Sequence, residues 1–90
     1  MPYQISYTDS INKGSIIVED ATLNTETSIT LPGRNVTSYG QAVAENFLHL
    51  LENFANTNAP GRPVEGQLWY DSSEGVNQLK VYDGTTWTAS

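Results

Sequence analysis

The sequence predicts an α+β fold with one central helix, and three observations carry that prediction. Apolar residues alternate with polar ones near both ends of the chain, the middle repeats them at helical spacing, and proline-glycine pairs punctuate the boundaries. Four segments follow within one small domain: an N-terminal β block over 1–34, a helix within 35–58, a Pro/Gly linker over 59–65 and a β-meander over 66–90.

In the first block Tyr3, Ile5 and Tyr7 alternate with Gln4, Ser6 and Thr8, as in a half-buried strand. Asn12-Lys13-Gly14 marks a turn, and Ser15 to Glu19 reads as a second, more buried strand. Asp20 to Glu26 is polar and reads as a loop. Thr27 to Leu31 alternates again, and Pro32-Gly33 reads as a type II turn, with glycine supplying the positive φ.

The helix is expected from Ser38 to Asn56. Ser38-Tyr39-Gly40-Gln41 matches a capping box, in which the serine hydroxyl accepts from a backbone amide and the glutamine reaches back. At 100° per residue, Val43, Ala44, Phe47, Leu48, Leu50, Leu51, Phe54 and Ala55 fill an arc of about 160°, against about 100° or a little more for an ordinary surface helix. Glu45, Asn46, His49, Glu52, Asn53 and Asn56 fill the remainder. One side of the apolar arc (Val43, Phe47, Leu50, Phe54) can dock on the chain's own strands. The other side is then an open patch of a kind that soluble monomers avoid.

Pro60-Gly61-Arg62-Pro63 imposes an extended passage after the helix. In the last segment Gln67 to Asp71 and Gln78 to Tyr82 read as strands. Asp83-Gly84 is a tight-turn signal leading to Thr85-Thr86-Trp87-Thr88. Trp69 and Trp87 add rigid aromatic area to a thin sheet.

Composition narrows the function. A chain of 90 residues buries only about 60% of the surface its unfolded form exposes, and with no cysteine it has neither a disulfide nor a thiolate metal site to reinforce it. Burial against other subunits is the favoured route, so the chain reads as a part of a larger assembly. Ten acidic residues face four basic ones, Lys13, Arg34, Arg62 and Lys80, which are too scattered to neutralise a run of phosphates. Nucleic acid is therefore not an expected partner. No apolar run approaches the ~20 residues of a membrane span, and the Met-Pro-Tyr-Gln start lacks the features of a signal peptide. Synthesis in a cytoplasm and a soluble product are expected.

No catalytic, cofactor-binding or metal-ligating set emerges. His49, the only histidine, lies between Glu45 and Glu52 at helical spacing, but zinc sites generally need more nitrogen or sulfur ligands. It reads as a solvated or interface residue. Asp71 and Asp83 each follow a tyrosine, with Glu65 and Glu74 near in sequence, and paired carboxylates could serve glycoside hydrolysis. Each of these two aspartates sits at a strand end or turn, where such residues accept backbone hydrogen bonds. No nucleophile elbow, triad or phosphate cradle is present, and Asn35-Val36-Thr37 reads as an incidental glycosylation sequon. Trp69, Tyr70, Tyr82 and Trp87 read as core or cross-strand pairs, with a sugar-binding groove as the alternative. The candidate site residues are interfacial: Ala44, Leu48, Leu51 and Ala55 on the helix, with Trp69 and Trp87 on the meander.

Thr27-Ser28-Ile29-Thr30-Leu31-Pro32-Gly33-Arg34-Asn35, Tyr39-Gly40 and Glu45 to Ala55 resemble the start of fibre-type virion proteins of large contractile-tailed bacteriophages, cyanophage-type ones included. Pro63 to Asp71 and Leu79 to Trp87 are similar to a module common in such proteins. The resemblance implies a non-catalytic structural protein of the virion, attaching or assembling a tail or neck fibre, as the particle-proximal part of a longer chain. It implies other tail, neck or baseplate proteins and copies of the chain itself as partners, with a homotrimer as the first expectation. The alternative is a carbohydrate-binding module of a phage fibre that recognises the host surface.

Overall fold

The computed structural model describes residues 1–37 and 39–90, so the proposed capping box at Ser38 lies outside the described residues. Among the described residues the fold is α+β, with seven short strands in three small antiparallel sheets and one long helix.

Strands β1 (Tyr3–Ser6) and β2 (Ser15–Val18) pair with Tyr3 opposite Val18 and Ile5 opposite Ile16. Ile16 and Val18 point inward and are buried, whereas Ile17 faces out, as the period of two requires. The turn expected at Asn12-Lys13-Gly14 is one helical turn, α1 (Ser10–Lys13), capped by the Asp9 carboxylate and released by Gly14 at φ 75°.

The polar stretch expected to loop out contains a strand, β3 (Leu23–Asn24), which pairs with β4 (Leu31–Pro32). The predicted strand over Thr27–Leu31 shrinks to these last residues for a local reason. The Thr27 hydroxyl bonds both the amide and the carbonyl of Ile29, which removes these groups from any ladder. Pro32-Gly33 is not a type II turn. Gly33 has no positive φ and is needed for space, since a Cβ there would strike the Glu19 carbonyl oxygen and press on Val18 Cγ1. Positive φ falls instead on Asn35, at 59°.

Helix α2 spans Tyr39–Leu51, five residues short of the expected end at Asn56. Asn53 and Phe54 both take left-handed backbone, and the Phe54 amide closes the helix by donating to His49 at 2.8 Å. The chain then runs beside β5 (Leu68–Asp71) as a short fourth edge. Tyr70 N donates to Asn53 O (2.9 Å), Asn56 N to Tyr70 O (3.2 Å) and Ser72 N to Asn56 O (3.1 Å). Further helix would forfeit all three bonds, so Phe54 and Ala55 leave the helical arc.

Strand β5 pairs with β6 (Gln78–Tyr82), and β6 with β7 (Trp87–Ala89), giving the expected meander. The loop at Asp83-Gly84 runs over four residues, Asp83 to Thr86, with Gly84 at φ 103° and Asp83 N donating to Thr86 O.

The result is a thin slab of 47 × 31 × 15 Å with a radius of gyration of 14.4 Å, against about 12 Å for a compact domain of this length. Among the described residues the buried apolar set is only Ile16, Val18, Ala42 and Trp69.

Candidate functional site

The helix has two faces with opposite fates. Its inner face carries Ala42 and Asn46, both buried, with Val43 half-buried beside them. Asn46, expected on the solvated side, is the clip that holds the helix to the β block. Its Oδ1 accepts from Thr30 N at 2.9 Å and its Nδ2 donates to Thr30 O at 2.6 Å, so the amide pairs with Thr30 as a neighbouring strand would. Ala42, one turn earlier, clears room for that close approach.

The outer face is open. Phe47 is 65% exposed, Leu48 56% and Leu51 78%, and Ala44 and Gly40 are exposed among them. Phe47, placed by the sequence on the docking side, therefore belongs to the open patch. The docking edge runs through Ala42 and Asn46, with Val43 half-buried beside them, displaced from the centre of the apolar arc, while Leu50 is 53% exposed and borders the groove. Ala55 is also exposed but lies beyond the helix.

Beside the helix lies an open apolar groove of about 470 Å³. Ile5 and Ile16 from the first sheet line it, with Ile29 and Leu31, Leu50 and Phe54 from the helix end, and Val64 and Leu68. In a filled domain this space between β1, β4 and β5 would hold core side chains. Gln67 fastens its far wall, donating to Ser28 Oγ at 2.9 Å and accepting from Val64 N at 3.1 Å.

The two tryptophans differ. Trp69 is 6% exposed, its indole Nε1 donates to Asn56 O at 3.2 Å, and Lys80 Nζ lies 5.0 Å from its ring centroid. Trp87 is half-buried, edge-on to Trp69 at 5.4 Å and 5.0 Å from Tyr82. Of the candidate interface residues, Ala44, Leu48 and Leu51 lie together on the open helix face, Ala55 stands apart, and Trp69 lies inside the meander.

The carboxylates hold turns. Asp71 is buried and accepts from Ser73 N (3.0 Å) and Lys80 Nζ (2.9 Å). Hydrogen bonding from Ser73, then from Lys80, brings its pKa down to about 2. Asp83 Oδ1 accepts from Thr86 N (2.7 Å) and Thr85 N (2.8 Å), and these backbone bonds, Thr86 first, lower its pKa also. A carboxyl whose folded pKa lies below its unfolded value of 3.8 contributes stability above that value, and loses it as pH falls through the folded pKa. The melting temperature is thus expected to drop between about pH 4 and pH 2. Asp71→Asn should lower it at neutral pH and flatten that acid limb, as thermal melts across pH will show.

His49 stacks on Phe54, with ring centroids 5.9 Å apart, and among the described residues no three His, Asp or Glu side chains form a group that could hold a metal ion. Lys13 donates to Glu65 O, Arg34 lies over the Tyr3 ring, and Lys80 pairs with Asp71, so three of the four basic side chains are engaged within the chain. No helix among the described residues is long and apolar enough to cross a membrane.

The site is therefore a pair of adjoining apolar surfaces, the outer face of α2 and the groove beside its end. No protein-family model, curated protein or solved structure matches the chain.

Proposed function

We propose that this chain is a non-catalytic structural module of a bacteriophage virion, attaching or assembling a tail or neck fibre through protein–protein contacts that include copies of itself. The observation that carries the interaction reading is the open apolar face of α2, where Phe47, Leu48 and Leu51 are each more than half exposed while only four apolar residues are buried among the described residues. Soluble monomers seldom leave such a patch uncovered, and closed symmetry between identical copies is the common way to bury one. The virion assignment rests on the resemblance of Thr27–Asn35, Glu45–Ala55 and Pro63–Asp71 to fibre-type proteins.

Quantitative mass spectrometry of purified particles of the phage that encodes the chain tests the assignment. The chain should be present in a fixed ratio to the tail proteins, and its absence from intact particles would contradict it. In a second arm, Leu48→Asp should abolish assembly of the purified chain while moving its melting temperature by no more than about 4 °C at concentrations where the wild type is monomeric, since Leu48 is exposed and surface changes stay within about 0.5 kcal/mol. Saturable binding of the purified chain to a glycan array would instead support a carbohydrate-binding module.

A further inference from the structure

The order of side chains along the open face carries information about how two copies meet. Gly40, Ala44, Phe47 and Leu51 are spaced four, three and four residues apart, the repeat that keeps a stripe facing a partner helix. The stripe is small at its N-terminal half and large at its C-terminal half. A parallel arrangement sets glycine against glycine and alanine against alanine at one end, and phenylalanine and leucine against themselves at the other. Helix separation depends on the side chains at the contact, so such helices splay. An antiparallel arrangement with its two-fold axis between Glu45 and Asn46 sets Gly40 against Leu51 of the other copy and Ala44 against its Phe47. Every level then matches a small residue with a large one, at one constant separation.

We propose that two copies of this chain pair through α2 as an antiparallel two-fold dimer, with Leu51 of each seated over Gly40 of the other. This inference rests on the reading of the outer face of α2 as a self-association surface, and it replaces three-fold with two-fold symmetry. Area supports a second copy as the occupant. The chain exposes 6040 Å², whereas a folded monomer of 9.9 kDa exposes about 5200 Å². The excess, roughly 800 Å², is on the scale of one partner's share of a standard-size interface, and the open helix face supplies it together with the adjoining groove. Charge supports it too. Each copy carries −6, so pairing needs a neutral contact, and no charged residue lies on the arc running from Phe47 through Gly40, Leu51 and Ala44 to Leu48. Antiparallel helices also place each N-terminal end, which has no acidic residue in its first turn, beside the partner's negative C-terminal end.

The chain has no cysteine, so single introduced thiols report the pairing cleanly. Leu51 is 78% exposed and a Cβ at Gly40 meets nothing within 4 Å, so neither Gly40→Cys nor Leu51→Cys disturbs the fold. A disulfide needs its Cα atoms within about 7 Å, whereas the eleven residues from 40 to 51 span about 16 Å of helix. Mixing the two variants under mild oxidation should give the mixed disulfide as the main product, at least tenfold over either homodimer. If Leu51→Cys alone cross-links efficiently and the mixture forms no mixed product, the helices are parallel; the dimer proposed here is then wrong, while self-association by this face stands. If no variant cross-links and the wild type sediments as a monomer, both fail.

Discussion

Replacing Trp69 with alanine is expected to cost about 3–5 kcal/mol, the range for truncating a buried aromatic ring. A domain of this size has a total stability of only about 5–13 kcal/mol, so the variant should lie near the edge of folding. Four things are lost together. The ring is 6% exposed and accounts for much of the buried apolar area of the meander. Its edge-on contact with Trp87 disappears, and so does its stacking beneath Lys80. Its indole N–H also holds the Asn56 carbonyl, which belongs to the segment that ties the helix end to β5. Urea unfolding should therefore show a midpoint lowered by roughly a quarter or more of its wild-type value, with Trp69→Phe intermediate because it keeps a ring but not the donor. Trp87→Ala should cost less, since Trp87 is only half-buried. A Trp69→Ala variant with wild-type stability that lost binding to a glycan would favour the carbohydrate reading instead.

Asn46→Ala should cost about 2–4 kcal/mol. The amide satisfies both backbone groups of Thr30, and removing it leaves a half-buried N–H and C=O without their partner, at about 1–3 kcal/mol for each unsatisfied group. Asn46→Leu separates this loss from a simple cavity effect. Leucine is close to asparagine in reach and fills the space, yet cannot bond Thr30. If the hydrogen bonds are what matter, the leucine variant is at least as unstable as the alanine one in urea titrations. Recovery of wild-type stability by leucine would mean that volume alone held the helix in place.

These two residues also mark what the sequence could and could not reveal. The helix and the meander were legible because their signals are local: the 3.6-residue repeat from Val43 to Leu51, and alternating strands flanking Asp83-Gly84. The helix end was not. Phe54 and Ala55 continue the apolar periodicity, and what stops the helix is pairing of Asn53 and Asn56 with Tyr70 and Ser72, a long-range contact with no local signature. Asn46 was placed with the solvated residues because its type is polar. A usable hint existed: Ala42, Asn46 and Asn53 form an uncharged line of small or amide side chains beside Val43 and Leu50, unlike the glutamates further round. The constraint at Gly33 is space against Glu19, a close approach of the chain just after β4 to the end of β2 that no local pattern in the sequence announces. The open patch was legible in outline from the width of the apolar arc. Its centre was displaced toward Phe47 and Leu51 because the docking edge follows the Asn46 clip and not the most apolar direction.

That the chain works as an assembled part and not as a monomer is tested most directly by sedimentation equilibrium of the wild-type protein from micromolar to millimolar concentration. The expected result is a mass that rises with concentration to twice 9.9 kDa or another whole multiple of it, with a melting temperature that rises in parallel. A mass that stays at 9.9 kDa throughout, with a melting temperature independent of concentration, would contradict self-assembly through this helix.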